Sequence, residues 1–434
     1  MIDAPNGVGI KATAGRAWLV WFLGALSFGM AFLHRVAPSA MVADLMRDFA
    51  VGAAALGNLS AIYFYAYAGL QIPVGVMLDR WGPRRMLSIG VALGAIGGLI
   101  FALAETMAMA YLGRLLVGIG SATGFVGTLK LTSHWFPPER YAFFTGMTMF
   151  LGMLGGIAGQ APLAVSVGAI GWRSSILIIS AFAALLALAI WLLVRDRPPG
   201  GRVERDGGGG YTMMASLGET IATPQVWLVA LFSGAMAGPL VAYAGLWAVP
   251  HLMAAYGIER PTAAAMASVM FVGFALGSPL AGWLSDFMGR RKPAIIISAT
   301  ASLFGWLALI FGPALPLLGV WILMLWIGLS CGAMIVGYAI ARENVAPWIA
   351  GAATGFVNTA TVGAVAVCQP LIGWLLDLNW EGAMAAGARS YSLASFEAAL
   401  VVLPLFSLLA LLATVFIGET HCRPLMEQST DSGD

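Results

Sequence analysis

The sequence predicts an all-α polytopic membrane protein: twelve transmembrane helices in two pseudo-symmetric six-helix bundles, a central cavity, and both termini cytoplasmic. Three observations predict it. The 434 residues are 60% hydrophobic and 10% charged, where a soluble chain carries about 25% charge. So little charge neither clothes a soluble fold nor sustains disorder. Apolar stretches of about 20 residues, enough to cross a bilayer, recur along the chain. Finally, Gly75, Asp79, Gly82, Arg84 and Arg85 return as Gly282, Asp286, Gly289, Arg291 and Lys292, each 207 positions later.

Breaks at charges, Gly/Pro clusters and turns set the spans in order. The first is 17–38. Its apolar stretch is too long for a signal-peptide core and no small-residue cleavage site follows, so it reads as a retained helix. The second (54–77) ends at the basic loop around Asp79, and 86–104 follows it. The fourth (111–133) stops before Pro137, Pro138, Glu139 and Arg140; the fifth is 142–166. The sixth (173–194) begins at Gly171, Trp172 and Arg173. It ends at residues 195–210, whose Pro, Gly and charge mark a flexible linker. Thr223 and Pro224 open the seventh (224–249). The remaining spans are 261–284, 294–312, 316–341, 349–375 and 391–417. The organisation is a tail (1–16), a first bundle (17–194), a linker (195–222), a second bundle (223–418) and a tail (419–434).

Basic residues set the orientation. Fifteen of the 22 Lys and Arg fall in loops and tails on the terminus side and four on the other. The expected location is the cell membrane, multi-pass (the inner membrane in a bacterium). Parallel six-helix repeats enclose a cavity between the halves. A net charge of +2 excludes a nucleic-acid footprint. Cys331, Cys368 and Cys422 lie too far apart in sequence for a disulfide framework or zinc site. No nucleophile–base set or phosphate loop points to an enzyme, and no cofactor is expected.

Ionisable groups inside a bilayer cost about 2.5–3.5 kcal/mol each and need a reason. Three cations remain inside helices, Arg35, Arg114 and Lys130, all in the first half; no acid falls at a helix centre. An unpaired cationic cavity favours a small anionic partner, whose binding neutralises buried charge. Arg35, read as near the outer end of its helix, suits bidentate pairing to a carboxylate; snorkelling, or a pair with Asp44 or Asp48, is the structural alternative. Lys130 lies about 24 Å along the helix from Arg114, so a substrate path would meet them in sequence; a lysine snorkelling inward is the structural alternative. His34 is the proton-coupling candidate, since an unperturbed histidine titrates near 6.5; a packed structural histidine is the alternative. Tyr63, Gln160, Tyr243, Asn358 and Gln369 complete the expected binding set, from a wider group including Tyr65, Tyr67, Gln71 and Tyr338. Pairs Met149/Met153 and Met266/Met270 have the spacing of a Cu(I) site, or of ordinary apolar filler.

The repeated loop is the signature of the major facilitator superfamily, which the whole chain resembles. Position 83 is Pro where many members have Gly or Arg. Tyr111, Gly113, Arg114, Gly118 and Gly120 resemble that family's fourth-helix Arg motif. Phe32, Arg35 and Val36 look like the first-helix pattern of its anion:cation symporters. Thr223, Pro224, Gln225 and Trp227 resemble the seventh-helix start of its oxalate/formate-type and monocarboxylate-type carriers. Gly120, Ser121 and Ala122 hold no carboxylate where many anion symporters have one. The resemblance implies a secondary active transporter working by alternating access as a monomer. With the cationic first half, it implies uptake of a small organic anion with protons. Alternatives are an amino-acid, other zwitterion or siderophore permease, an exporter of hydrophobic compounds, or a copper carrier. It also implies a conformational latch of Asp79, Arg80, Arg84, Arg85 and Arg114 in the first half and Asp286, Arg290 and Arg291 in the second.

Overall fold

Long apolar runs satisfy their backbone polar groups in a bilayer only as helices or closed barrels. A computed structural model of the chain, which describes residues 7–198 and 213–423, is nearly all helical. Among the described residues eleven helices are long and apolar enough to cross a membrane, twelve when Ala53–Gln71 and Pro73–Trp81, bent by 57°, count as one span. Pro73 has no N–H to give the helix, which accounts for the bend.

In chain order the first six spans are Gly15–Asp48, Ala53–Trp81, Pro83–Ala102, Met107–Trp135, Phe143–Ile170 and Trp172–Leu193. Spans 7 to 12 are Pro224–Tyr256, Arg260–Met288, Lys292–Phe311, Leu317–Glu343, Ala350–Leu378 and Leu393–Phe416. A helix, Met213–Ala222, lies within the expected linker; residues 199–212 of that linker are outside the described residues. So are 1–6 and 424–434 of the tails, and the expected N-terminal tail is already helical from Gly7.

Span 1 differs most from its expected limits. It does not end near Pro38 but tightens into a 3-10 turn, Ala37–Met41, and continues as Val42–Asp48. Proline at the start of a turn forfeits no needed N–H, and buried Met41, Leu45 and Met46 hold the extension inside the protein. Span 7 carries a π-helical turn, Tyr243–Trp247, at mid-length.

The halves meet mainly through span 2 against span 11, with spans 5 and 8 packed beside them and the turns at 37–41 and 243–247 in contact. Glycine makes the span 2–11 approach possible. A Cβ on Gly57 would lie 2.7 Å from the Gln369 carbonyl oxygen and 2.8 Å from Pro370 Cα, closer than packed atoms allow, so backbone meets backbone.

Candidate functional site

The extension of span 1 relocates Arg35. It stands 13 residues before Asp48, about 20 Å by helical rise. It is therefore deep in the protein and not at the outer end of its helix. Neither expected carboxylate partner is available to it. Asp44 pairs with Arg260 (2.7 Å) and Arg47, and Asp48 with Arg173 and Arg47.

Aromatic rings take the place of an acid. The Arg35 guanidinium carbon lies 4.4 Å from the Phe32 ring centre, 5.1 Å from Tyr67, 5.7 Å from Phe64 and 5.9 Å from Tyr63. Such faces attract a cation without neutralising it. Its Nε is buried with no hydrogen-bond partner.

Arg114 joins this cluster. Its guanidinium carbon lies 5.2 Å from the Tyr63 ring centre, and Nη1 donates to the His34 carbonyl oxygen at 2.7 Å. Nε and Nη2 are buried without partners. Tyr63 is thus in contact with both arginines, and its hydroxyl donates to the Ala31 carbonyl oxygen at 3.0 Å. Among the described residues no carboxylate pairs with either arginine; Asp79 holds Lys130, Asp286 and Glu343 hold Arg291, and Asp377 holds Arg389.

Neutral polar groups of the second half face this cluster. Tyr338 lies within electrostatic reach of Arg35, and its hydroxyl donates to Asn358 Oδ1 at 3.2 Å. Tyr65 donates to the Ala366 carbonyl oxygen at 3.0 Å, tying span 2 to span 11 at mid-depth. The Gln369 amide is fully buried with neither its nitrogen nor its oxygen partnered.

The site is closed toward the face opposite the termini. Gln160 is a strut there: it accepts from Ser39 Oγ (2.9 Å) and donates to the Ala244 carbonyl oxygen (2.6 Å). Arg260 and Asp44 join spans 8 and 1. Asp377 accepts N–H bonds from Ala53 (3.1 Å) and Ala54 (2.9 Å), capping the start of span 2 from the other half. Tyr391 OH (2.5 Å) and Arg389 (3.1 Å) hold that carboxylate in place. Val36, directly after Arg35, is fully buried; a Cβ on Gly159 would sit 2.7 Å from it.

Several expected site residues sit elsewhere. Lys130 is ion-paired with Asp79, which places it with the signature loop and not beside Arg35. Tyr243 turns into the second half's own interior, 2.7 Å from His251 Nδ1 and edge-on to Trp306. His34 lies on another face of span 1 from Arg35 and lines a cavity inside the first half. Arg114 belongs to the Arg35 cluster and not to the loops. Met266 and Met270 are buried core, and Met149 is exposed.

The remaining latch residues act within their own halves. The Arg84 N–H donates to Asp196 (2.7 Å), and its guanidinium to the Trp191 carbonyl oxygen (2.6 and 2.9 Å). Arg291 holds Glu343 and Asp286, each at 2.6 Å. Its N–H and that of Lys292 donate to Glu419 at 2.8 and 3.1 Å. Burial opposes the Glu419 charge, but these N–H groups, with those of Thr420 and His421, outweigh it and hold the carboxyl below its usual range. Arg291 loses by burial and gains more from its two carboxylates, which raise it. Arg80, Arg85 and Arg290 have no ion pair among those described. Asp377, Arg260, Asp196 and Glu419 were missed in the sequence, since helix-end acids carry no local mark of a distant partner.

The family model described as Major Facilitator Superfamily matches residues 18–249 and 240–421. Two uncharacterized transporters of Bacillus subtilis (strain 168) are similar. YybO is 28% identical over 174 residues, 39% of this chain and 40% of that protein; YycB is 25% identical over 371 residues, 83% and 87%. The probable sulfoacetate transporter SauU of Cupriavidus necator is 24% identical over 293 residues, 65% and 68%. Among solved structures, a bacterial homologue of the human lysosomal transporter Spinster superposes with a TM-score of 0.76 at 18% identity, over 93% of this chain and 98% of that one.

Proposed function

The chain belongs to the major facilitator superfamily, and on that premise we propose that it takes up a small organic anion by alternating access, coupled to protons. It is a secondary transporter and not an enzyme. The observation that carries the anion is the pair Arg35 and Arg114, two guanidinium groups about one tyrosine ring with buried N–H groups unpartnered and no acid between them. A carboxylate or sulfonate supplies the acceptors and charge they lack. The second half offers Tyr338, Asn358 and Gln369, neutral groups suited to the rest of the molecule. Relatives' names support the class: SauU is named for sulfoacetate, and other relatives for L-galactonate and tartrate. A zwitterion would need an acceptor for its ammonium group, and no carboxylate pairs into the cluster.

The basic terminus-side loops support a cytoplasmic near face. With closure on the opposite face, the conformation is then inward-facing. Uptake of labelled sulfoacetate, galactonate and tartrate into proteoliposomes, with and without an acid-outside gradient, tests the function. One of them, or another small organic anion from a wider panel, should accumulate, faster with the gradient. Arg35→Ala should weaken its binding about 10- to 150-fold, the loss of a hydrogen bond to a charged partner. Undiminished anion uptake by that variant refutes the assignment.

A further inference from the structure

His34 is buried, 5% exposed, and its Nε2 has no hydrogen-bond partner. It lines a half-open pocket between spans 1, 3, 4 and 6, together with Ser27, Gly94, Ser121, Thr123 and Ala183. The space open to the centre of a water molecule is about 20 Å³; one water needs roughly 10–15 Å³ by that measure. Gly94 is buried, yet nothing lies within 4 Å of where its Cβ would stand, so the cavity reaches its backbone.

The lining is polar in a particular sense. Ser27 donates its hydroxyl proton to the Gly24 carbonyl oxygen (2.6 Å), and Thr123 to that of Gly120 (3.0 Å). Their oxygen lone pairs remain for a donor such as water. Such a site is the kind that stays hydrated, because leaving the polar groups bare costs more than ordering a water.

The groups acting on His34 are few. Arg84 and Arg85 open span 3 and Arg173 opens span 6; beyond these ends, spans 3, 5 and 6 contribute no ionisable residue. Span 4 contributes Arg114, bonded to the His34 carbonyl, and span 2 contributes Tyr63, bonded to the Ala31 carbonyl. Arg35 comes next to it in the chain. Burial and the two arginines oppose a charge on the ring and no carboxylate offsets them, so water in the pocket is its route for proton exchange.

We propose that this cavity is a hydrated proton-binding site, separate from the anion site, in which water delivers a proton to and takes it from His34 Nε2. This deepens the coupling part of the proposed function and rests on that reading only for its role in transport. A proton bound there adds a third cation near Arg114, a cost that an anion at Arg35 reduces, so the two ligands assist each other reciprocally.

Nitrogen-15 histidine NMR of the full chain in lipid nanodiscs tests it without any substrate. The resonances absent from His34→Gln belong to His34. They should show magnetisation exchange with water and move reversibly from neutral toward imidazolium positions as pH falls from 9 to 3, the change coming at the acid end because burial and the two arginines oppose the charge. In Gly94→Val, which fills the cavity, both signatures should be lost. A His34 ring neutral throughout, no exchange with water in the natural protein, or an unchanged titration in folded Gly94→Val overturns the proposal. Should Gly94→Val fail to fold, the water exchange decides. Failure of every anion to bind leaves this result standing and counts only against the anion assignment.

Discussion

Removing the Asp377 carboxylate should open the closed face. That carboxylate is the main polar tie between the start of span 2 and the second half, and Asp377→Ala deletes it without touching the arginine cluster. Hydrogen bonds to a charged group contribute about 1.5–3 kcal/mol each. The Ala54 N–H has Asp377 alone, so its bond counts in full. The Ala53 N–H is shared with Tyr391 OH at 3.0 Å, which remains in the variant, so little more is lost there. The carboxylate is also one-fifth exposed, which pulls the figure to the lower part of the range. About 2 kcal/mol remains, or roughly a 30-fold change in the ratio of closed to open molecules. Single-molecule energy transfer between dyes at Glu105→Cys and Met384→Cys, with Cys422 replaced by Ser, reads that ratio on the far face. Asp377→Asn, which retains an acceptor, should fall between. A ratio altered less than threefold by Asp377→Ala refutes the idea that this cap holds the face shut.

The near face gives two further expected outcomes. Lys130→Ala and Asp79→Asn should couple in a double-mutant cycle on transport rate by about 0.2–1 kcal/mol, as partly exposed pairs do, while anion affinity stays within twofold; loss of affinity in Lys130→Ala would return that lysine to the binding site. The Glu419 carboxyl lies below its usual range in the folded protein, so its contribution is complete above the ordinary glutamate range and is lost as pH falls through the lowered value. Hydrogen exchange of the Arg291 and Lys292 amides should therefore show less protection on acidification, corrected for intrinsic rate, and Glu419→Gln should remove that pH dependence.

Much of this architecture was legible in the sequence because a bilayer leaves so few choices for an apolar run. Span count, halves and the repeated loop needed only hydropathy and spacing. Arg35 was legible as an internal charge because a charge in such a run is costly; its depth was not, because Pro38 reads as a stop and here only tightens the turn. Tyr243 was expected at the cavity, yet its hydroxyl meets His251 inside the second half; a lone tyrosine in an apolar run carries no local mark of the face it takes. Gln160 and Gln369 each stand just before a proline, Pro162 and Pro370, in the fifth span of their half, yet one is bonded at both ends and the other at neither. Asp377 and Glu419 work through partners more than a hundred residues away, which local pattern does not reveal.

Arg35 and Val36 are neighbours, one bearing the cluster's charge and the other seated in the closure above it. In most machines a load and a door are connected by a linkage, and linkages have slack. Here a rotation of span 1 that re-aims the guanidinium must also lift the valine from its seat. Charge and closure are thus geared to each other within one turn of helix.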